Sequence, residues 1–110
     1  MNMTDAIGVA QWRRVCPLAD IPVLGARVVN TSQGSVAVFR NAEDDVFALE
    51  DRCPHRGGPL SQGIVFGRTV ACPLHGWNIE LTCGKAVAPD RGCARTFQVK
   101  VADGAVYLLI

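Results

Sequence analysis

Both histidines of this 110-residue chain lie close behind a cysteine. His55 is the second residue after Cys53, and His75 is the third residue after Cys72. Thiolate sulfur and neutral imidazole nitrogen bind zinc, iron and other transition metals. Two short segments that each offer one sulfur and one nitrogen therefore predict one shared metal site, with Cys53, His55, Cys72 and His75 as its ligands. We call residues 53–55 hook one and residues 72–75 hook two.

Proline and glycine surround both hooks. Proline follows each cysteine directly, where it fixes the backbone φ angle and removes one hydrogen-bond donor. Glycine follows as Gly57 and Gly58 after hook one and as Gly76 after hook two. Because glycine adopts positive φ without steric cost and lets the backbone approach an inorganic centre closely, these residues favour loops that wrap around a metal.

The rest of the chain consists of short β-rich runs separated by turn-forming residues. Two hairpins are predicted, one around the polar residues 41–45 and one around Asp103-Gly104. No window has a helical period longer than two turns, so the sequence predicts an all-β fold of two small antiparallel sheets, packed face to face or as an open barrel. The predicted strands are Trp12–Cys16, Arg27–Val29, Ser35–Arg40, Val46–Leu49, Thr69–Ala71, Trp77–Leu81, Phe97–Val101 and Val106–Ile110.

Length and charge limit the classes of function. A chain of this length predicts a single domain over residues 1–110. Its 11 basic and 10 acidic residues give a formal net charge of +1, too small to attract nucleic acid or an anionic membrane. The stretch Met1–Gln11 has no Lys or Arg and an apolar run of only five residues, so no signal peptide or membrane span is predicted. We expect a cytoplasmic protein without nucleic-acid or membrane partners.

The chain has five cysteines, and this odd number excludes a fully paired disulfide framework. Outside the hooks, Cys16 is predicted to be a small buried hydrophobic residue. A disulfide between Cys83 and Cys93 is the alternative to two free thiols, which a reducing compartment favours.

Charged and aromatic side chains near the hooks leave alternatives open. Arg52 and Arg56 flank hook one and either steer an anionic partner or are simply solvated. Trp77, directly after hook two, is interpreted as an anchor in apolar packing rather than as an electron carrier. The acidic residues before hook one form either a docking patch for a basic partner or, as short charge runs usually do, a solvated turn: Glu43, Asp44, Asp45, Glu50 and Asp51.

One cysteine and one histidine from each of two loops resemble the ligand set of the Rieske [2Fe–2S] family, in which two thiolates hold one iron and two imidazoles the other. The resemblance implies a Rieske-type sandwich of small antiparallel sheets with a cluster-binding subdomain at about residues 52–90. It also implies that Cys53 and Cys72 ligate the buried iron, and His55 and His75 the outer iron. The main alternative is a structural Cys2His2 zinc site, which usually opens with a C-x2-4-C pair.

A longer likeness runs from Arg52 to the end of the chain, and it is similar to the small subunits of assimilatory NAD(P)H-dependent nitrite reductases. This likeness implies that Pro89–Gly92 forms a third loop over the cluster. The implied partner is a large subunit with FAD, a [4Fe–4S] cluster and sirohaem, on which nitrite is reduced to ammonia. The chain would be its electron-transfer subunit, inactive alone. The runs that carry the likeness are Cys53–Val65, Cys72–Trp77 and Pro89–Thr96.

Two other functions remain open. A free-standing Rieske ferredoxin that delivers electrons to an aromatic-ring dioxygenase or a related oxygenase has the same hooks, although such ferredoxins do not characteristically carry the Pro89–Thr96 run. A redox-silent binding module stabilised by its metal is the third hypothesis.

The resemblance also predicts a low reduction potential. High-potential Rieske proteins carry an extra cysteine in each hook region, joined as a disulfide, and a serine after the His-Gly pair of hook two. In this chain Gly58, Leu74 and Trp77 occupy these positions. We therefore expect the lower end of the family range of about −150 to +300 mV.

Overall fold

The computed structural model describes residues 10–74 and 76–110, which form ten β-strands in three antiparallel sheets. Most of the N-terminal stretch discussed above lies outside the described residues, as does His75. The all-β prediction is confirmed, with three sheets where two were expected. In spatial order, sheet one contains β1 (Trp12–Pro17), β10 (Ala105–Leu109) and β9 (Val99–Ala102); sheet two contains β2 (Gly25–Thr31), β3 (Gly34–Arg40), β4 (Val46–Glu50) and β8 (Thr96–Phe97); sheet three contains β5 (Ile64–Phe66), β6 (Thr69–Ala71) and β7 (Asn78–Glu80).

Sheet two lies between two hydrophobic cores, because successive side chains of β3 and β4 point to opposite faces. Residues 36–39 of β3 are therefore all buried, and they form a continuous apolar run rather than an alternating one. One face contributes to the sandwich core, which consists of Cys16, Ile21, Val36, Val38, Ala48, Val106 and Leu108. The other contributes to the hook core, which consists of Ala37, Phe39, Leu49, Cys53, Leu60, Val65, Val70, Cys72, Ile79, Leu81 and Ala94.

The sandwich core confirms the predicted role of Cys16. Its side chain is only 2% exposed. Burial raises the pKa of the Cys16 thiol above its ordinary value. The thiol is therefore protonated at neutral pH and packs as a small hydrophobic group.

Sheet three consists of strands of only three residues, and one of them was missed by the sequence analysis. The predictions at Thr69–Ala71 and Trp77–Leu81 correspond to β6 and β7, whereas β5 was not predicted. A strand of three residues offers too little alternation to be recognised by its period. Sheet three and both hooks lie within residues 52–90, whose role as a separate subdomain stays a prediction.

The predicted strand Phe97–Val101 is wrong, because two different strands occupy this stretch. Residues Thr96–Phe97 pair with β4 in sheet two, whereas Val99–Ala102 pair with β10 in sheet one. Between them, the carbonyl of Gln98 accepts a hydrogen bond from the N–H of Leu109 at 3.0 Å. The apolar and polar residues alternate through the break, so the period could not show that the chain passes from one sheet to another.

The turn between β3 and β4 is held by Asn41, which is 1% exposed. Its Oδ1 accepts hydrogen bonds from the N–H groups of Glu43 at 3.1 Å and Asp45 at 2.8 Å. Its Nδ2 donates to the carbonyl of Gly67 at 3.1 Å, in the turn between β5 and β6. One buried amide therefore connects the central hairpin of sheet two to sheet three.

Several of the acidic residues before hook one are engaged by the chain itself. Asp44 forms an ion pair with Arg40 at 2.8 Å, and Asp45 lies 3.8 Å from a guanidinium nitrogen of Arg68. These contacts favour the interpretation of this stretch as a turn over that of a docking patch.

The two helical segments found in residues 10–74 and 76–110 are single 3₁₀ turns, Leu18–Asp20 and Leu60–Gln62. No helix in the described residues has the length and hydrophobicity that crossing a membrane requires.

We predict that Asn41→Ala lowers the free energy of unfolding by about 1–3 kcal/mol, because it leaves buried backbone groups without their partner. Urea unfolding followed by circular dichroism measures the change. Asn30→Ala is the matched control, since Asn30 accepts only an exposed hydrogen bond from Ser35 at 3.0 Å; its effect should stay within about 0.5 kcal/mol. Equal effects of the two substitutions would contradict the proposed connection between the sheets.

Candidate metal centre

Hook one lies in a six-residue loop, residues 53–58, that two backbone hydrogen bonds close. The N–H of Cys53 donates to the carbonyl of Gly58 at 2.7 Å, and the N–H of Gly57 donates to the carbonyl of Cys53 at 2.8 Å. Gly57 has a φ angle of 72°, in the left-handed region that glycine adopts without strain. We call this segment loop one.

Loop two, residues 72–77, contains hook two and repeats the same pattern. The N–H of Cys72 donates to the carbonyl of Trp77 at 2.7 Å, and the N–H of Gly76 donates to the carbonyl of Cys72 at 3.0 Å. Gly76 also has a φ angle of 72°. The two loops therefore correspond position by position when residue 53 is aligned with residue 72. In this alignment His55 corresponds to Leu74, and His75 corresponds to Arg56.

The first residues of the two loops are buried together in the hook core. Cys53 is 1% exposed and Cys72 is 3% exposed. Burial raises the pKa of the Cys53 thiol, and the neighbouring Cys72 side chain raises it further, while hydrogen bonds to Cys53 from the backbone of His55 and Arg56 oppose the rise. Two adjacent buried thiols with backbone donors directed at one sulfur suit a cation that binds them as thiolates, so these residues fit an iron centre.

His55 of loop one contacts loop two through Trp77, whereas His75 lies outside the described residues. The His55 ring is half-buried and stacks on the indole of Trp77, with ring centroids 4.2 Å apart and an angle of 6° between the planes. In the described part of the chain, no three His, Cys, Asp or Glu side chains are grouped so that they could hold a metal ion. A two-iron cluster needs only two protein ligands for each iron.

Two side chains of loop two contact loop one. Leu74 of loop two packs over Gly58 of loop one, where an added Cβ would lie 2.9 Å from its Cγ and Cδ1 and 3.2 Å from the Sγ of Cys72. Trp77 of loop two stacks on His55 of loop one. In the alignment of the two loops, position 58 corresponds to position 77 and position 55 to position 74. The two contacts therefore join the same pair of loop positions, the third position of one loop and the sixth position of the other.

The predicted third loop, Pro89–Gly92, packs against loop one. Gly92 has a φ angle of 122°, and a Cβ added to it would lie 3.0 Å from the Cβ of Pro54. The carbonyl of Gly92 accepts a hydrogen bond from the N–H of Ala86 at 2.9 Å. The base of this loop is thus fixed beside hook one.

The sequence analysis missed the contact that secures the chain after hook one. Asp51, interpreted as part of an acidic stretch, accepts hydrogen bonds from the N–H of Ser61 at 2.7 Å and from its hydroxyl at 2.8 Å. These bonds hold the two ends of the segment that contains loop one. No local motif marks such a pair, because its members are ten residues apart.

The remaining cysteines are not part of this site. Cys83 and Cys93 are exposed and form no disulfide. The Cys83 thiol donates to a carboxylate oxygen of Glu80 at 3.1 Å. Two free thiols are therefore found, as a reducing compartment favours.

We predict that Gly58→Ala destabilises the chain by about 1–3 kcal/mol, because the new methyl group overlaps Leu74. The same substitution should cost less in a Leu74→Ala background, where the overlapping atoms are absent. Urea unfolding of the parent, both single variants and the double variant measures the difference. If Gly58→Ala costs the same in both backgrounds, the contact with Leu74 is not what excludes a side chain at position 58.

Comparisons with known proteins show the family to which the chain belongs. The sequence model of the Rieske [2Fe–2S] domain family matches residues 11–98. The chain is 35% identical to the 3-phenylpropionate/cinnamic acid dioxygenase ferredoxin subunit of Photorhabdus laumondii over 98 residues, which cover 87% of this chain and 91% of that protein. It is 40% identical over 84 residues to the 4beta-methylsterol monooxygenase of Methylococcus capsulatus, but that match covers 66% of this chain and only 22% of the length of the monooxygenase.

Solved structures show the same relationship. The ferredoxin in a complex of reduced oxygenase and oxidised ferredoxin of carbazole 1,9a-dioxygenase superposes with a TM-score of 0.78 and 31% identity, covering 89% of this chain and 92% of that chain. A structure described as a nitrite reductase NADPH small subunit superposes with a TM-score of 0.81 and 27% identity, covering 91% and 99%. The chain therefore belongs to the Rieske [2Fe–2S] domain family and is a ferredoxin-like electron-transfer protein whose cofactor is a Rieske-type [2Fe–2S] cluster.

Proposed function

We propose that the chain holds its cluster through Cys53, His55, Cys72 and His75 and carries electrons to a larger redox enzyme. The observation that carries this proposal is the pair of matched loops, which bury the thiols of Cys53 and Cys72 side by side in the hook core. When bound, the cluster supplies reversible one-electron chemistry.

The proposed ligands differ in their exposure to solvent. Cys53 and Cys72 are excluded from solvent, so they hold their side of the cluster in a dry environment that protects thiolate ligands. His55 is only half-buried, which leaves a polar group near the surface of the chain. Since both histidines of the chain are assigned as ligands, no histidine is left for acid–base catalysis.

For the partner, we propose the terminal oxygenase component of a ring-hydroxylating or related oxygenase system. The support is the 35% identity to a dioxygenase ferredoxin subunit over nearly its whole length. A solved complex of an oxygenase with its ferredoxin adds to this support, as does the match to part of a sterol monooxygenase. The sequence motifs alone favoured the nitrite reductase small subunit over the oxygenase ferredoxin, and this proposal reverses that order.

The small subunit of an assimilatory NAD(P)H nitrite reductase is the second candidate. The run Pro89–Thr96 favours it, and so does the likeness to a solved small subunit with a TM-score of 0.81. In that case the partner is the large subunit with sirohaem, FAD and a [4Fe–4S] cluster.

The two candidates are tested by mixing the dithionite-reduced chain, in the absence of oxygen, with each oxidised partner from the source organism. Stopped-flow absorbance follows reoxidation of the chain, and gel filtration follows complex formation. Rapid reoxidation by the oxygenase alone supports the first proposal, whereas rapid reoxidation by the sirohaem subunit alone, within a stable complex, supports the second. Reoxidation by neither partner would contradict both.

We predict that Cys53→Ser, Cys72→Ser, His55→Ala and His75→Ala each abolish the visible absorption of the bound cluster, because each removes a ligand. Iron analysis and absorption spectroscopy of the purified chain measure the loss. Cys83→Ser and Cys93→Ser are matched controls, since both thiols are exposed and lie outside the loops. Full cluster content in any of the four ligand variants would refute that assignment.

We predict a midpoint potential nearer to −150 mV than to +300 mV, the approximate limits for Rieske centres. The reason is that Trp77 offers no hydroxyl donor where high-potential relatives have serine, and that Gly58 and Leu74 replace their disulfide. Redox titration at pH 7, monitored by circular dichroism, measures the midpoint. A midpoint close to the upper limit would show that other contacts set the potential.

A further inference from the structure

The stacked pair of Trp77 and His55 is the one aromatic ring contact found between the two loops in the described residues. The ring centroids are 4.2 Å apart and the planes differ by 6°, so the faces lie parallel. Such an arrangement brings the faces of the two rings into stacking contact.

Trp77 is itself held in place by the fold. Its side chain is half-buried and packs against the hook core. Its carbonyl accepts the hydrogen bond from the N–H of Cys72 that closes loop two, at 2.7 Å. The indole therefore provides a surface whose position is set by the core rather than by the cluster.

The equivalent contact at the other side of the site has no such ring. There Leu74 lies over Gly58, and glycine presents no side chain to it. Of these two equivalent contacts, the one beside His55 therefore contains an aromatic ring and the one at Gly58 does not. The two loops also differ in where their histidine lies. It is the third residue of loop one but the fourth residue of loop two.

The imidazole of a histidine needs such a constraint. Rotation about its χ2 angle is broad, since the torsion joins an sp³ carbon to an sp² ring and has no sharp minima. Metal-binding histidines are usually oriented by a neighbouring group, and their affinity for metal falls when that group is removed.

We propose that Trp77 is a positioning residue that fixes the ring plane of His55 and so sets the direction of the nitrogen that binds the outer iron. This inference rests on the proposed function, because it takes His55 as a ligand. It assigns Trp77 a role beyond the anchoring of its own loop, and it requires no electron to pass through the indole.

The test compares Trp77→Leu, which keeps an apolar side chain but removes the ring, with Trp77→Phe, which keeps a flat ring. Both are made in the full chain with its cluster bound. Trp12→Leu is the matched control, because Trp12 is the other tryptophan and lies on β1, 40% exposed beside Lys100. Pulsed electron paramagnetic resonance of the reduced cluster measures the nitrogen couplings of the two histidine ligands, and absorbance follows cluster loss to an iron chelator.

We expect Trp77→Leu to change the coupling of one histidine nitrogen and to speed cluster loss about threefold to tenfold, as the loss of one aromatic pair predicts. Trp77→Phe should restore both properties, and Trp12→Leu should leave them unchanged. A role in packing alone would change the rate of cluster loss without a selective change in one coupling. Rescue by Phe also separates positioning from electron relay, because phenylalanine is much harder to oxidise than tryptophan.

The proposal is overturned if Trp77→Leu matches the parent in both measurements, or if Trp77→Phe is as impaired as Trp77→Leu. If Trp77→Leu fails to retain the cluster, Trp77→Met serves as a second variant without a ring. Loss of the cluster from both, with retention in Trp77→Phe, supports the proposal, whereas loss from all three overturns it. A parent chain without two histidine nitrogen couplings would instead refute the ligand assignment on which the inference rests.

Discussion

The structure depends on the burial of two cysteines, Cys53 and Cys72, in the same hydrophobic core. That core also covers one face of β3 and β4, so the roots of both loops are fixed by the packing of the central sheet. Burial makes the bare thiolate of Cys53 unfavourable, as the raised pKa of that thiol indicates, and a bound cation offsets that cost. The same packing therefore stabilises the fold and prepares one side of the proposed metal site.

The two loops share their backbone hydrogen bonds but have different side chains where they contact each other. Both close with the same hydrogen bonds, and both use glycine at a φ angle of 72°. Their side chains differ at the positions that face the opposite loop, where one contact joins leucine to glycine and the other joins tryptophan to histidine. The backbone hydrogen bonds set the shape of each loop, and these few side chains differ between the two contacts that join the loops.

The three sheets pack around two hydrophobic cores, and sheet two contributes to both. Sheets one and two share the sandwich core, which includes no described residue of either loop, whereas sheet three and the loops share the hook core with the other face of sheet two. The buried amide of Asn41 and the carboxylate of Asp51 then attach the loop region to the rest at two further points. A small electron carrier needs this rigidity, because little movement of its ligands keeps the reorganisation that accompanies each electron transfer small.

The sequence by itself determined the chemistry, since the only two histidines follow two glycine-flanked cysteines, and it determined the strands that are long enough to show their period. It could not reveal β5, which has three residues, or the passage between sheets at Gln98, where alternation continues unbroken. Only the tertiary structure decided that Leu74 lies on Gly58, that Trp77 stacks on His55 and that Asp51 binds Ser61. The physical reason is that local patterns record the backbone preferences of neighbouring residues, whereas these contacts join separate segments of the chain that meet only when the hook core is packed.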